Sequence, residues 1–428
     1  MLADNYLFVM GGALFLLFLM YLMFAYPNYI PHVLVATYFF LPLVYGLTKL
    51  QPLPLTTVFT MLLGPIVLWR SRKTVLWHLW PVAIYLLLVG ITSFLNNIQL
   101  LENKSAFIPI IIATLCLLSF SGGEDAPKRF LSFTWVILGW IVVNSIFSIL
   151  QMAGGQRFYL ISATKKAGVV GGKIQRGYGL IGMATLVGIN YCLGVPLSGA
   201  FLFDMEKRRK ILHYTIFALC LAGLLLSFSR GAIFGVFLSL SILLFLRKRI
   251  MLLVVYLLLA ITLVGTYQGV MSLLPSHYSN YFQGKDKSAG GRMSYVQIGL
   301  RMFADRPVTG FGFGGFSEQC IHYGSPIKLE AHNTYIQVLV EYGIFGLPTF
   351  LFMIAMSAKG YIDYIRKGCS ETLCTLSIGY FAALIALVVN ALVHCMEWNL
   401  IFWLPVIFGY LMRHYLIAEQ HEHEDQYA

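Results

Sequence analysis

One histidine stands where a polar segment turns into a long apolar one. In AHNTYIQVLVEYGIFGL, His332 and Asn333 come directly before the apolar run, with Glu330 just upstream and Tyr335 just inside it. An imidazole with an ordinary pKa of about 6.5 is largely neutral above that pH and can accept a proton. Most lone histidines are structural, but this one is a candidate general base, and Glu330 is a candidate to orient its ring.

Two arginines lie beside apolar runs with no acid next to them. Arg230, in SFSRGA, joins two such runs with almost no loop, and Arg292 opens the segment GGRMSYVQIGLRMFADRPVTGFGFGGF. An arginine at membrane depth is costly unless it is paired or functional. A helix that begins at Arg230 would also offer unpaired N–H groups to an anion. Both arginines are therefore candidates to bind phosphate, with snorkelling to lipid headgroups as the alternative.

The segment after Arg292 predicts a helix at the membrane surface, because apolar residues recur at helical spacing from Met293 to Phe303. Arg301 and Arg306 follow with Asp305 between them, so we expect a structural ion pair there. The glycines of GFGFGG permit close approach of the backbone. No strand precedes them, so they are not a dinucleotide-binding fingerprint.

Composition indicates what kind of chain must position these residues. Hydrophobic residues make up 58% of the 428, charged residues only 11%, and the mean hydropathy is +0.76. A soluble globular chain carries about a quarter charged residues, so this one is expected to be an all-α polytopic membrane protein. Apolar runs that could span a bilayer lie at Tyr6–Tyr26, Ile30–Leu47, Pro52–Trp69, Thr74–Leu95, Phe107–Phe120, Leu131–Met152, Tyr178–Phe203, Ile211–Phe228, Gly231–Leu246, Ile250–Leu273, Thr334–Ala358, Leu373–Val393 and Leu400–Tyr415.

One of the first three runs is expected to be half of a kinked or re-entrant helix, which gives about 12 (12–13) transmembrane helices in a single membrane domain, 1–428. Lys and Arg in short loops mark the cytoplasmic side. This places a main outer loop at 274–333 and a second, cationic one at 153–177. The net charge of +12 follows largely from this topology, so no nucleic-acid partner is needed to explain it.

The second outer loop breaks the charge rule, because it carries five cations and no acid. Contact with lipid headgroups is one explanation, and an anionic substrate is the other. Arg176 comes immediately before an apolar run, so it is the third candidate phosphate ligand, ahead of Lys165 and Lys166 in the glycine-rich part of the loop.

Other chemistries find little support in the residues. His322, His332 and His394 come without cysteines or carboxylates at ligand spacing, so no metal site is predicted. Neither a Gly-x-Ser-x-Gly elbow nor a nucleotide-binding loop is present. The energy for a reaction would therefore have to arrive with the substrate.

The segment GGRMSYVQIGLRMFADRPVTGFGFGGF, followed by AHNTYIQVLVEYGIFGL and preceded by SFSRGA, resembles the signature of the O-antigen ligase and polymerase superfamily. The resemblance covers about Ser227 to Leu347. It implies a GT-C-like fold and transfer of a glycan from undecaprenyl diphosphate to an acceptor sugar, in a bacterial inner membrane with the site facing the periplasm. His332 matches the family's proposed base, and Arg230 and Arg292 match the arginines that hold the diphosphate.

The resemblance leaves the member of the superfamily open. A length near 400 residues and one main outer loop favour a ligase that uses lipid A–core oligosaccharide as acceptor, and the alternatives are an O-antigen polymerase, another glycan transferase, or a non-enzymatic transporter of lipid-linked glycan. No cofactor is implied beyond undecaprenyl diphosphate as the donor's carrier. The sugars and the oligomeric state cannot be read from the sequence.

Overall fold

The computed structural model describes residues 29–36, 73–98, 107–123, 125–154, 169–170, 174–175, 177–180, 184–203, 210–265 and 287–427. Nearly all of these residues lie in helices or in the turns between them. In chain order the helices are α1 (Trp80–Leu95), α2 (Ile108–Phe120), α3 (Ala126–Gly154), α4 (Ala184–Phe201), α5 (Lys210–Leu226), α6 (Arg230–Leu246), α7 (Ile250–Gly265), α8 (Lys287–Asp305), α9 (Gly315–Gln319), α10 (Thr334–Lys367), α11 (Glu371–Asn390) and α12 (Leu400–Tyr427).

Short 3₁₀ turns extend two of these helices, Lys73–Leu79 before α1 and Cys320–Tyr323 after α9. The described part of the chain is all-α, as expected, apart from one pair of two-residue strands. Within the cationic 153–177 loop, β1 (Val169–Val170) pairs antiparallel with β2 (Ile174–Gln175).

The described helices are those of an integral membrane protein. Within the described residues, five segments are long and apolar enough to cross a bilayer: Val75–Leu95, Ala126–Ala153, Thr334–Lys367, Glu371–Asn390 and Leu400–His421. Five shorter apolar helices accompany them, which are α2, α5, α6, α7 and most of α4. The first and third predicted runs, and all but the start of the second, lie outside the described residues. The total of 12–13 transmembrane helices therefore stays a prediction.

The centre of the bundle is formed by α11, which packs against α4, α6, α10 and α12. Aromatic side chains fill the space around it. The ring of Phe130 stacks on Tyr380 with centroids 5.4 Å apart and meets Phe408 edge-on at 4.8 Å. The hydroxyl of Tyr380 makes a 3.1 Å hydrogen bond to Thr134 Oγ1, so the one polar atom of this stack is satisfied.

The segment between α7 and α10, which was predicted to form the main outer loop, contains a helix where a surface helix was expected. It is α8, which is longer than the Met293–Phe303 stretch that predicted it, and its buried face packs on α10. Ile298 and Met302 of α8 join Phe316 of α9 and Val340 of α10 in a separate apolar cluster. This cluster fixes Arg292, near the start of α8, relative to the beginning of α10.

Candidate functional site

The turn between α5 and α6 carries Arg230. Ser227 closes α5 with its hydroxyl donating to Leu224 O at 2.6 Å, and Phe228 takes a left-handed φ of 50°. Arg230 then begins α6 and is exposed. A Cβ on Gly231 would lie 2.3 Å from Val393 Cγ2, so only glycine lets α6 approach the end of α11 this closely. The turn thus brings Arg230 to the connection between α11 and α12.

His332 is held at that same connection by its neighbours in sequence. Asn333 caps α10, with its Oδ1 accepting hydrogen bonds from the N–H groups of Tyr335 at 3.0 Å and Ile336 at 3.1 Å. Thr334 donates its N–H to Ala391 O and its hydroxyl to His394 O, at 2.9 and 2.7 Å. His332 itself has a left-handed φ of 51°. These contacts set the direction of the His332 side chain, because they fix the backbone on its C-terminal side.

Arg230, Arg292, His332 and His394 lie within electrostatic range of one another. The charge of Arg230 acts on Arg292, and that of Arg292 acts on both histidines. Burial, and then Arg292, lowers the pKa of His332 below its ordinary 6.5. The same two causes, with His332 as a third, lower the pKa of His394 to about 4. Both imidazoles are therefore neutral at neutral pH and able to accept a proton or a hydrogen bond.

His394 is the residue of this cluster that the sequence did not single out. It is 7% exposed and lies in the turn between α11 and α12. The signal that could have identified it was its place in HCMEWN, the short polar link between the last two predicted apolar runs. Asn390, four residues earlier, is fully buried against Gly231, and neither polar atom of its amide has a partner among the described residues.

Three supporting residues and Arg176 complete the predicted set. Glu330 lies within electrostatic range of Cys395, whose thiol donates to Gln337 Oε1 at 2.7 Å, and its proposed action on the His332 ring stays a prediction. Asn333 acts as the helix cap, and the Tyr335 hydroxyl donates to Val388 O at 2.6 Å, which ties α10 to α11. Arg176 lies outside the described residues. Gly177, the next residue, donates its N–H to Leu226 O at 3.0 Å, beside the Arg230 turn.

The glycine-rich loop that follows α8 hydrogen-bonds to α10 at a point where that helix is broken. At Gly343 the helix is interrupted by φ 68° and ψ −164°, a conformation open essentially to glycine alone. The loop replaces the hydrogen bonds that the break removes. Phe311 N–H donates to Val340 O at 3.0 Å, Gly312 N–H to Glu341 O at 2.7 Å, and Ile344 N–H to Pro307 O at 2.7 Å.

Among the described residues, Asp305 forms the expected ion pair with neither Arg301 nor Arg306. Arg306 instead donates to Asn96 Oδ1 at 2.6 Å and lies over the ring of Phe311 at 4.8 Å, while Asp305 accepts a hydrogen bond from the Tyr323 hydroxyl at 2.6 Å. The reason is the turn after α8, which brings Arg306 to the end of α1. Arg306 is thus structural, as expected, but it anchors the loop to α1.

Two buried carboxyl groups lie beneath this loop. Glu397, in the α11–α12 turn, accepts a hydrogen bond from the Tyr85 hydroxyl of α1, and Glu341 of α10 is close enough for the two carboxyls to interact electrostatically. Burial raises the pKa of Glu397 to about 7. A proton on this pair relieves the repulsion between like charges in a dry environment. The pair therefore links α1, α10 and the turn that carries His394.

Comparison with known protein families identifies one part of the chain. The family model described as O-Antigen ligase matches residues 215–351. Residues 215–351 form an O-antigen ligase family domain. This domain contains Arg230, Arg292, His332 and the loop-to-helix contact at Gly343, and the α11–α12 turn with His394 lies beyond it. No curated protein matches the chain.

The match of residues 215–351 to this family points to glycan transfer of the ligase or polymerase type in lipopolysaccharide biosynthesis, with lipid-linked glycans as substrates. The family match confirms the resemblance noted in the sequence. It does not separate ligases from polymerases.

Proposed function

We propose that this protein is an O-antigen ligase that transfers a glycan from undecaprenyl diphosphate to a sugar of lipid A–core oligosaccharide at the periplasmic face of the inner membrane. The observation that carries the proposal is the cluster of two arginines and two neutral histidines at one end of the bundle. The cluster combines arginines, which can bind a diphosphate, with neutral histidines, which can accept the proton of a sugar hydroxyl. A transporter would need no base beside its anion site.

His332 is proposed as the base. It accepts the proton of the acceptor hydroxyl as that oxygen attacks the anomeric carbon of the donor sugar. The bond between that carbon and the diphosphate oxygen breaks, with inversion of configuration, and the electron pair leaves with undecaprenyl diphosphate. The proton on His332 then passes to water.

Arg230 and Arg292 are proposed to bind the diphosphate and to stabilise the charge that develops on it. Guanidinium groups bind phosphate oxygens in pairs of parallel hydrogen bonds, and they do so without a metal. Arg292 is half-buried, so its attraction for an anion is screened less than that of a fully solvated arginine. Arg176 is proposed to assist from the cationic loop.

His394 and Asn390 are proposed to support the site. A neutral His394 beside His332 can hydrogen-bond the acceptor sugar, and its replacement should raise KM for the acceptor more than it lowers kcat. Asn390 packs against the first turn of α6 and maintains the position of Arg230.

The test is transfer by the purified protein in detergent or nanodiscs. Lipid A–core oligosaccharide and undecaprenyl-linked glycan are offered separately and together, and the products are resolved by gel electrophoresis and mass spectrometry. Glycan on lipid A–core supports the ligase proposal. A ladder that grows on undecaprenyl diphosphate in the absence of lipid A–core would make the protein a polymerase, and binding of both without any product would favour a transporter.

A further inference from the structure

A cleft opens between α5 and α6 below the turn that joins them. Helix α5 packs on α3 and α4, whereas α6 packs on α11 and α4. The two helices therefore diverge from the turn that ends at Arg230. The space between them is a cavity of about 510 Å³, closed at the back by α4 and flanked by α7.

The lining of the cleft is apolar along its whole length. On α6 it runs from Ile233, one turn after Arg230, to Leu244. Those eleven steps span roughly 16 Å at about 1.5 Å per residue. Tyr256 is the lining residue with a polar side-chain atom, and its hydroxyl is directed to Phe237 O at 3.4 Å. The walls thus offer no group that would hold a polar ligand.

The cleft is accessible from the lipid. Helix α7 is its outer wall, and most of the other side chains of that helix are exposed apolar residues such as Met251 and Ile261. A chain in the bilayer could enter past α7 without crossing a polar surface. Lipid tails are as apolar as these side chains, so such a site selects by shape and position more than by hydrophobic gain.

We propose that this cleft holds the first isoprenoid units of the donor's polyprenyl chain, with the diphosphate at its apex beside Arg230. The inference rests on the proposed function for the nature of the donor. An anionic headgroup joined to a long apolar chain matches a cation at the apex of an apolar cleft. The competing occupant is an acyl chain of a bilayer phospholipid, which the experiment below tells apart.

The decisive variant fills the cleft far from Arg230. Gly199 of α4 lines its inner end, and a Cβ there would be 3.4 Å or more from its neighbours, so Gly199→Leu adds bulk without moving the backbone. The matched control is Ile261→Phe, which adds bulk on the lipid-facing side of α7, where the side chain is 68% exposed.

Transfer is measured with two donors that carry the same glycan, one on undecaprenyl diphosphate and one on geranyl diphosphate. We expect Gly199→Leu to lower kcat/KM about 10-fold or more for the undecaprenyl donor and to leave the geranyl donor and Ile261→Phe near wild type. Unchanged use of the undecaprenyl donor, or an equal loss with both donors, overturns the proposal.

A photoreactive polyprenyl diphosphate without glycan keeps the test independent of catalysis. We expect it to label the lining of α4 and α6 in wild type, to do so less in Gly199→Leu, and to be displaced by undecaprenyl diphosphate. Labelling that only excess phospholipid displaces assigns the cleft to a bilayer acyl chain. If the wild type transfers no glycan but its cleft is labelled and undecaprenyl diphosphate displaces the label, the proposed function fails and the cleft assignment stands.

Discussion

The backbone of Gly310 passes so close to Gly343 that a Cβ on Gly310 would lie 2.8 Å from the Gly343 amide nitrogen. The approach is reciprocal, since a Cβ on Gly343 would lie 2.3 Å from Val308 O. The loop that follows α8 and the break in α10 are therefore two halves of one contact, and glycine is required on both sides of it.

This contact predicts that Gly343→Asn is strongly disruptive. Both the crowding and the backbone conformation oppose a side chain, and a residue held in such a region costs roughly 1–3 kcal/mol. We expect a clear fall in the thermal unfolding temperature together with loss of transfer. Gly314→Asn is the control, because Gly314 also has a positive φ, of 71°, but nothing lies within 4 Å of its Cβ position. Equal tolerance of the two would contradict the described contact.

His332→Ala should lower kcat by about 10²–10⁴-fold with little change in KM for the donor. In wild type the rate should rise with pH and level off as His332 loses its proton. Because burial and Arg292 lower this pKa, the midpoint should fall below 6.5. His322→Ala is the control, as this exposed histidine lies in the same segment between α7 and α10. A midpoint above 6.5, or full turnover in folded His332→Ala, would exclude His332 as the base.

Substitution of either arginine should act mainly on donor binding. Loss of a charge-assisted phosphate contact costs about 1.5–3 kcal/mol, which corresponds to a rise in donor Kd of about one to two orders of magnitude. Arg230→Lys should recover only part of this, because an ammonium keeps the charge but not the paired hydrogen bonds. Arg301→Gln on α8, which is exposed, provides the control. Normal donor affinity in Arg230→Ala and Arg292→Ala would remove the diphosphate site from this cluster.

Chelation should leave the activity unchanged. Arginines stabilise the leaving diphosphate in the proposed mechanism, so EDTA added to purified, metal-washed protein should not alter kcat. Abolition of transfer by EDTA and recovery with a divalent cation would mean that the leaving group is stabilised by a metal.

Tyr85→Phe should destabilise the bundle by about 1–3 kcal/mol, because it leaves a buried oxygen of Glu397 without its donor. Glu397→Gln should cost less stability, since its amide oxygen can still accept the hydrogen bond from Tyr85.

The same carboxyl should make stability depend on pH. The folded protein holds a proton on Glu397 at pH values between the ordinary pKa of 4.5 and about 7. Stability should therefore fall as pH rises through that window in wild type and less so in Glu397→Gln. A thermal melt series over pH, with exposed Tyr214→Phe as control, measures both effects.

Features that depend on a local pattern of residues could be predicted from the sequence alone. Apolar run length located α10 and α11, and the recurrence from Met293 to Phe303 located α8. An arginine with no acid beside it, and a histidine at a boundary, were enough to nominate Arg230, Arg292 and His332.

The features that it did not reveal depend on contacts between distant parts of the chain. Tyr85 and Glu397 are 312 residues apart, and neither is unusual in its own segment. Gly343 lies in a run that reads as a continuous helix, and only the loop from Pro307 to Gly312 makes a break there favourable. His394 enters the cluster because Thr334 binds the turn that carries it.

The interlocking of the Pro307–Gly312 loop with the break at Gly343 bears on how acceptor preference could be re-engineered. A chimaera that takes only the Pro307–Gly312 loop from a relative would place a foreign loop against this protein's own break at Gly343. The carbonyls of Val340 and Glu341 would then lose their hydrogen-bond donors. We therefore expect residues 306–344 to be transferable between relatives only as one unit. In any recombinant that folds, the loop and the helix break should come from the same parent. Crossovers between residues 313 and 339 should therefore be rare among functional recombinants.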